Sequence, residues 1–208
     1  MAGMVATESS MMFYKQLDFP IIPESLYRDE FIENEQASKD TGYGTTHYEN
    51  GVAISASRFN YSVIQNNNLI AWLSNTLQIF LPDSHYTLQH QTPGTHIVHS
   101  DLFRMYAIMY TVDPGGKDVC TNWYQETNKP LSRTRNQKHL VLQSDTGVVD
   151  YKDLTLLESA VFEQYKWYLF RTDVLHDVKP ISEIRRSITV GIKPTQLAAL
   201  ESIGLLTQ

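Results

Sequence analysis

The sequence predicts a mainly β protein with supporting helices, folded as a sandwich or a barrel. Many short β-like runs follow a single internal segment of helical spacing, and turn signals separate them. The chain is also rich in aromatics, with twelve Tyr, eight Phe and three Trp, which favour pleated, half-buried surfaces. Strands do not alternate with helices, which argues against βαβ units. All-β folds of 208 residues commonly stay single, so residues 1–208 are expected to form one domain.

The N-terminal part, residues 11–82, is expected to supply supporting strands and one helix. Residues 24–60 show no clear period and predict a loop or short strands. Five apolar residues then follow helical spacing: Leu69, Trp72, Leu73, Leu77 and Phe80. Because Pro82 ends this run, the pattern predicts a helix over residues 68–80 whose apolar stripe lies on a sheet.

The core barrel is expected at about residues 85–192. Its β-like runs lie at 85–91, 95–100, 103–112, 118–125, 139–143, 166–171 and 186–192. A strong turn signal, Asp113-Pro114-Gly115-Gly116, separates two of them. Residues 151–163 fit either a short helix or another strand, and the KPISE segment at 179–183 fits a loop. A short terminal helix is expected over residues 194–205.

Composition excludes several classes of partner and compartment. The net charge is −6 and no block of Lys or Arg is present, so nucleic acid is not a favoured partner. Cys120 is the only cysteine, so no disulfide framework is expected and a reducing, cytoplasmic location is favoured. The first residues lack the features of a secretory signal, and no apolar run approaches about 20 residues, so no membrane association is expected. The sequence leaves the oligomeric state open.

One β-like run carries a candidate pair of metal ligands, His99 and Asp101. Residues two apart in a strand project to the same face, so both can bind one metal. His176, in a distant apolar segment, would supply a third ligand. Two imidazoles and one carboxylate leave three positions open, as in non-haem Fe(II) oxygenases. The H-x-D spacing alone carries little weight, because chance alone would place roughly 0.4 such pairs in a chain of this composition. His47 and Glu49 form a rival pair of similar chemistry, which ranks lower because it lies in a Gly-rich stretch without strand patterning.

The C-terminal half strengthens this interpretation. The segment KWYLFRTDVLHDV reads as a strand, a turn and a histidine, and RRSITVGI follows as another strand. The arrangement over residues 85–192 resembles the 2-oxoglutarate/Fe(II)-dependent oxygenases, which carry H-x-D, a distal His and an Arg about ten residues further on. PGTHIVHSD followed by FRMYAIMY is similar to the aspartyl/asparaginyl β-hydroxylase-type members, and HDVKP with RRSIT is similar to prolyl-hydroxylase-type members. Small stand-alone versions of the family occur in bacteria and their phages.

The resemblance implies a double-stranded β-helix, which is a jelly-roll, cupin-like barrel. It implies that His99, Asp101 and His176 hold Fe(II). With 2-oxoglutarate and O₂, such a protein hydroxylates an unactivated C–H bond. A small-molecule or peptide substrate is expected, with an amino-acid or peptidyl side chain as the reacting group. A carboxylate at Asp101 departs from those β-hydroxylases that lack it, and it favours hydroxylation over halogenation.

The family uses an arginine to hold the far carboxylate of 2-oxoglutarate, because a guanidinium can form two hydrogen bonds with one carboxylate. Arg186 lies ten residues after His176, whereas Arg185 forms the R-x-S pattern with Ser187. Neighbours on a strand face opposite sides, so only one of the two arginines can point into the barrel, and the R-x-S pattern favours Arg185. The resemblance also places Arg104 near the co-substrate, with Tyr106 on the same face.

Two other functions fit the same residues. One is a non-catalytic β-barrel binding module, whose histidines are polar core groups. The other is a cupin-type metalloenzyme that does not use 2-oxoglutarate. A response to metal alone, to metal with 2-oxoglutarate, or to neither separates the three.

Overall fold

The computed structural model describes residues 13–37, 48–77, 86–101, 104–127, 133–136, 144–147, 150–202 and 204–205. The α-helices of this part of the chain are α1 (Arg28–Ala37), α2 (Asn67–Leu77) and α3 (Leu197–Ser202). Its strands are β1 (Tyr14–Leu17), β2 (Tyr48–Glu49), β3 (Val52–Ala53), β4 (Phe59–Val63), β5 (Tyr86–Gln91), β6 (Gly94–Asp101), β7 (Tyr106–Pro114), β8 (Cys120–Glu126), β9 (Arg133–Asn136), β10 (Ser144–Gly147), β11 (Leu154–Val161), β12 (Trp167–Arg171), β13 (Leu175–Ile181) and β14 (Arg185–Ile192).

The strands form two six-stranded sheets and one small hairpin of β2 and β3. Sheet 1 has the order β1-β12-β7-β14-β5-β4, and sheet 2 has the order β11-β8-β13-β6-β10-β9. Neighbouring strands in both sheets are antiparallel. From β5 to β8 and from β11 to β14, the chain crosses between the sheets at each step. This is a double-stranded β-helix, a jelly roll of cupin type, and the predicted mainly β fold with supporting helices is confirmed.

Sheet 1 has an apolar face under the helices and a polar face toward the barrel interior. On β5 and β14, Leu88 and Ile188 belong to the same buried cluster as the α2 residues Leu69 and Leu73. The next residue on each strand, Gln89 or Thr189, lines the interior cavity instead. Side chains alternate across a strand, so a single sheet can carry both a hydrophobic core and a polar wall.

Helix α2 agrees with its predicted position. The side-chain oxygen of Asn66 accepts hydrogen bonds from the backbone N–H groups of Asn68 and Leu69, at 2.9 and 3.2 Å, and so caps the first turn. The apolar stripe packs on sheet 1 as expected. The last predicted residues of the helix, 78–80, and Pro82 lie outside the described residues.

Elsewhere the structure corrects several local predictions. Residues 28–37, expected as loop or short strand, form helix α1, which buries Phe31. Residues 154–161 form a strand after a 3-10 turn, which resolves the alternative left open there. Part of the expected KPISE loop, residues 179–181, belongs to β13. The predicted strand at 139–143 lies outside the described residues.

Strand β11 forms one edge of sheet 2 and pairs with β8. Leu156 and Leu157 are exposed on it, at 54% and 39%. Leu157 is an extra residue in the ladder, because Leu156 pairs with Tyr124 and Glu158 pairs with the adjacent Trp123. A β-bulge therefore interrupts this edge. None of the helices in the described ranges is long and apolar enough to cross a membrane.

Candidate functional site

Two histidines meet inside the barrel on neighbouring strands of sheet 2. His99 of β6 lies directly opposite His176 of β13 in the antiparallel register. Their ring centroids are 4.3 Å apart, and both residues are buried. Directly opposed residues on adjacent strands bring their side chains into contact on one face, so β-pairing alone joins positions that are distant in sequence.

The backbone fixes the tautomer of both rings. The Nδ1 atom of His99 lies 2.8 Å from the carbonyl oxygen of Ile97, and Nδ1 of His176 lies 2.8 Å from that of Val174. A carbonyl oxygen can only accept, so each Nδ1 must carry the proton. In the neutral ring, Nε2 then keeps its lone pair, which is the form that binds a metal.

Burial keeps these two imidazoles neutral. It lowers the pKa of His99 to about 4, with His176 lowering it further and Asp101 acting in the opposite direction. Burial also lowers the pKa of His176. Desolvation disfavours the charged form of a histidine, so both rings are neutral at neutral pH and no proton competes for the Nε2 lone pairs.

Asp101, the last residue of β6, lines the same cavity and is paired with Arg104. The Nε–H of Arg104 donates to Oδ2 of Asp101 at 2.6 Å, and the two side chains are 15% and 3% exposed. Burial alone would raise the pKa of Asp101, but the Arg104 guanidinium, through its charge and its hydrogen bond, holds that pKa below its usual value. The carboxylate is therefore ionised as well as buried.

Arg185, at the start of β14, reaches the cavity from sheet 1. It is 5% exposed, and its guanidinium donates to Oε1 of Gln91 at 2.9 Å and to Sδ of Met109 at 3.5 Å. Burial lowers the pKa of Arg185 to about 10, so the group stays charged at neutral pH. Within the described part of the chain, no carboxylate lies within ion-pair distance of this guanidinium. A buried cation whose hydrogen-bond acceptors, Gln91 and Met109, are both neutral is suited to bind an anionic ligand.

Of the other predicted co-substrate residues, Arg104 lines the cavity, whereas Arg186, Ser187 and Tyr106 do not. Arg186 forms an ion pair of 3.4 Å with Asp113 and has a side chain that is 27% exposed. Ser187 returns to the inner face, where its hydroxyl donates to Oε1 of Gln89 at 3.2 Å. Tyr106 instead contacts Arg171, whose guanidinium carbon lies over the Tyr106 ring, 5.8 Å from the ring centroid.

Sequence reasoning missed part of this polar wall. Gln91 bridges the site, because it accepts from Arg185 through its oxygen and contacts Nδ1 of His96 through its nitrogen. The ring of His96 stacks on that of His99 with centroids 4.6 Å apart. The alternation of polar residues in HYTLQHQ was the available signal, since Gln89 and Gln91 share one face of a buried strand. The full lining is Phe59, Gln89, Gln91, His96, His99, Asp101, Arg104, Ala107, Met109, Thr121, Phe170, Thr172, His176, Val178, Arg185 and Thr189.

The side chains of His99, Asp101 and His176 are of the types that bind Fe(II), although they are not close enough together to coordinate one ion. Two imidazole nitrogens with lone pairs and an ionised carboxylate line one cavity, which is the chemistry of the 2-His-1-carboxylate sites. Yet among the described residues no group of three His, Cys, Asp or Glu side chains is close enough to hold a metal ion. Of the rival pair, His47 lies outside the described residues, and Glu49 is paired with Lys179 at 3.2 Å.

Comparison with known proteins finds similar solved structures but assigns no protein family. No family model matches the sequence, and neither does any curated protein. A Trichoplax adhaerens prolyl hydroxylase, solved in complex with a hypoxia inducible factor oxygen degradation domain peptide fragment, superposes with a TM-score of 0.49 at 11% identity, over 90% of this chain and 86% of that chain. For a Pseudomonas putida prolyl-4-hydroxylase the TM-score is 0.40 at 14% identity, over 87% and 92%. For a cupin-like protein from Thermotoga maritima it is 0.30 at 11% identity, over 69% and 74%.

Likenesses at such low identity concern the fold alone, and the assignment of the double-stranded β-helix rests on the strand order of the two sheets. The fold and the cavity together define a jelly-roll protein whose interior holds a neutral histidine pair, a buried carboxylate and a buried arginine. Such an interior can bind a divalent cation and a small anion side by side.

Proposed function

We propose that this protein is an Fe(II)- and 2-oxoglutarate-dependent dioxygenase that hydroxylates an unactivated C–H bond. The observation that carries the proposal is the buried guanidinium of Arg185, which forms no ion pair with a described residue and shares its cavity with His99 and His176. A binding site for a metal alone has no need of such a cation. A site for an anionic co-substrate beside the metal does need one.

In this proposal the Nε2 atoms of His99 and His176 and the carboxylate of Asp101 hold the iron. When bound, Fe(II) supplies the redox chemistry that couples the oxidative decarboxylation of 2-oxoglutarate by O₂ to the hydroxylation of the substrate. Arg185 holds the far carboxylate of 2-oxoglutarate, and Gln91 orients its guanidinium. Ser187, beside Arg185 on the inner face, is the second donor that the R-x-S pattern suggests.

The remaining lining has two further roles. Apolar side chains such as Phe59, Met109 and Phe170 keep water from the reacting groups, which strengthens every charged contact inside the cavity. The substrate is proposed to be an amino-acid or peptidyl side chain, on the resemblance of the PGTHIVHSD and HDVKP motifs to hydroxylases of such groups.

A binding experiment separates this function from the two alternatives. The thermal unfolding midpoint is measured with Mn(II) alone and with Mn(II) plus 2-oxoglutarate, since a ligand of the folded state stabilises it by mass action. A dioxygenase is stabilised further by 2-oxoglutarate when metal is present. Stabilisation by metal alone indicates a metalloenzyme that does not use 2-oxoglutarate, and no response to either indicates a binding module.

Ligand identity is tested by substitution. His99→Ala and His176→Ala should abolish the response to Mn(II), whereas His90→Ala, at a buried histidine outside the cavity lining, should retain it. Fe(II)-dependent conversion of 2-oxoglutarate to succinate is the activity readout. Succinate formation at the same rate in the His99→Ala variant would contradict the proposal.

A further inference from the structure

The ion pair between Arg104 and Asp101 makes the two carboxylate oxygens of Asp101 different, because Arg104 bonds only to Oδ2. The Nε–H of Arg104 occupies Oδ2 at 2.6 Å, and the Asp101 side chain is only 3% exposed. Oδ1 is therefore the oxygen left to bind a metal in the cavity. A carboxylate that binds through one oxygen uses one coordination position, so the positions required by a co-substrate stay open.

The backbone around this pair is held by one residue, Thr172, which is completely buried. Its carbonyl oxygen accepts from the N–H of Asp101 at 2.7 Å, and its hydroxyl donates to the carbonyl oxygen of Arg104 at 3.1 Å. Its own N–H donates to the carbonyl oxygen of Met105 at 2.9 Å. Both ends of the ion pair are thus fixed to the same point of the chain after β12.

Space for the Arg104 side chain is provided by Gly191 on β14. A Cβ atom added at Gly191 would lie 2.9 Å from Cδ, 3.4 Å from Nη1 and 3.9 Å from Nε of Arg104. These are its three nearest atoms, and Gly191 does not have a positive φ. The backbone would therefore accept alanine, and the arginine side chain would have to move. The missing side chain at position 191 is the gap in which the guanidinium approaches Asp101.

We propose that Arg104 is a positioning residue that makes Asp101 bind a metal through one oxygen. Gly191, which has no side chain, leaves the space that Arg104 needs to reach Asp101. The inference rests on the proposed metal site of His99, Asp101 and His176. A group that orients a metal ligand in this way is typically worth about 10- to 100-fold in metal affinity. Arg104 then acts through Asp101 and leaves Arg185 as the residue that binds the anion.

The test must conserve charge, because the positive charge of Arg104 also repels a cation in the same cavity. Gly191→Ala displaces the guanidinium without removing it, and Arg104→Lys keeps the charge but loses the planar donor geometry. Each variant is titrated with Co(II), with its visible absorption as a report of coordination. Arg171→Lys is the matched control, since Arg171 forms an ion pair of 2.6 Å with Asp173, is also 15% exposed and lies outside the cavity lining.

We expect Gly191→Ala and Arg104→Lys each to weaken Co(II) affinity about tenfold or more and to change the Co(II) spectrum, with Arg171→Lys unchanged. In an Arg104→Ala background, Gly191→Ala should have no further effect, because no side chain remains for the methyl group to displace. If the unsubstituted protein binds Co(II) and both charge-conserving variants bind it equally or more tightly, the inference is overturned and the proposed function stands. If the unsubstituted protein binds no Co(II), both the inference about Arg104 and the proposed function are overturned.

Discussion

His99 and His176 reach the same cavity through the same local geometry, each with Nδ1 bonded to the backbone carbonyl two residues earlier. Their tautomers are thus set by backbone carbonyl groups of the strands themselves. Because a strand conformation is difficult to change locally, the two Nε2 atoms keep their lone pairs as long as β6 and β13 stay paired.

The neutral state of His99 predicts how the metal-free protein responds to pH. Its folded pKa of about 4 lies below the ordinary histidine value of 6.5. Its stabilising contribution is therefore complete above pH 6.5 and is lost as the pH falls through 4, by up to about 3 kcal/mol. Urea unfolding between pH 7 and pH 4.5, with a chelator present, measures this loss.

His99→Gln is the control, and its free energy of unfolding should fall less over the same range. The comparison is needed because Asp177 acts in the opposite direction, since burial raises its pKa to about 6. Equal losses in the two proteins would show that His99 is not the titrating group.

Arg185 and Arg186 are adjacent in sequence and should differ sharply in their effect on 2-oxoglutarate. Arg185→Gln removes the buried charge and should weaken binding to the Mn(II)-loaded protein about 10- to 100-fold. Arg186→Gln removes a partly exposed ion pair with Asp113 outside the cavity lining and should change affinity less than about twofold. Isothermal titration calorimetry gives both values, and two small, equal effects would eliminate Arg185 as the anion-binding residue.

Behind His176, on the opposite face of β13, the carboxylate of Asp177 accepts from three buried donors. They are the hydroxyl of Tyr151 at 2.5 Å, the amide of Asn122 at 2.8 Å and the hydroxyl of Tyr124 at 3.1 Å. Tyr151→Phe should lower the free energy of unfolding by about 1–3 kcal/mol, because a buried acceptor loses a partner. Tyr86→Phe, which loses only an exposed bond to Ser74, should change it by less than about 0.5 kcal/mol.

The contact between α2 and sheet 1 should dominate the stability of the supporting layer. Leu73 has no exposed surface and belongs to the large cluster under the helices, so Leu73→Ala should cost about 2–5 kcal/mol. Leu156→Ala removes the same atoms from a position that is 54% exposed and should stay within about 0.5 kcal/mol. Urea unfolding of both variants gives the comparison, and similar losses would contradict the assigned core.

Periodic patterns in the sequence predicted the elements that bury many side chains. Helix α2 has an apolar residue at each turn, and several of the barrel strands alternate between apolar and polar residues. Helix α1 was not predicted because half of the residues in RDEFIENEQA are charged, and of its two large apolar residues only Phe31 is buried. The KPISE segment was expected to be a loop, yet β13 continues past Pro180 to Ile181. The register between β13 and β6 shifts between Val178 and Ile181, so no regular ladder hydrogen bond is required from position 180.

The candidate site was predictable where residues share a strand. The i, i+2 relation predicts a common face for His99 and Asp101, and alternation allows only one of Arg185 and Arg186 to face the interior. Contacts between residues of different strands could not be predicted from the sequence. Nothing near Gln91 in the chain indicates that it lies opposite Arg185 in the register of β5 and β14. The position of Arg104 depends on the gap at Gly191, which only the packed structure reveals.

The bulge at Leu157 has a consequence for how copies of this protein behave together. An exposed, regular strand with leucines at its rim is a template on which a second molecule can add its own strand. The extra residue breaks the repeat of backbone donors and acceptors and twists the rim, and Glu158 places a charge immediately after it. The bulge and this charge both oppose the edge-to-edge pairing of strands from two copies of the protein.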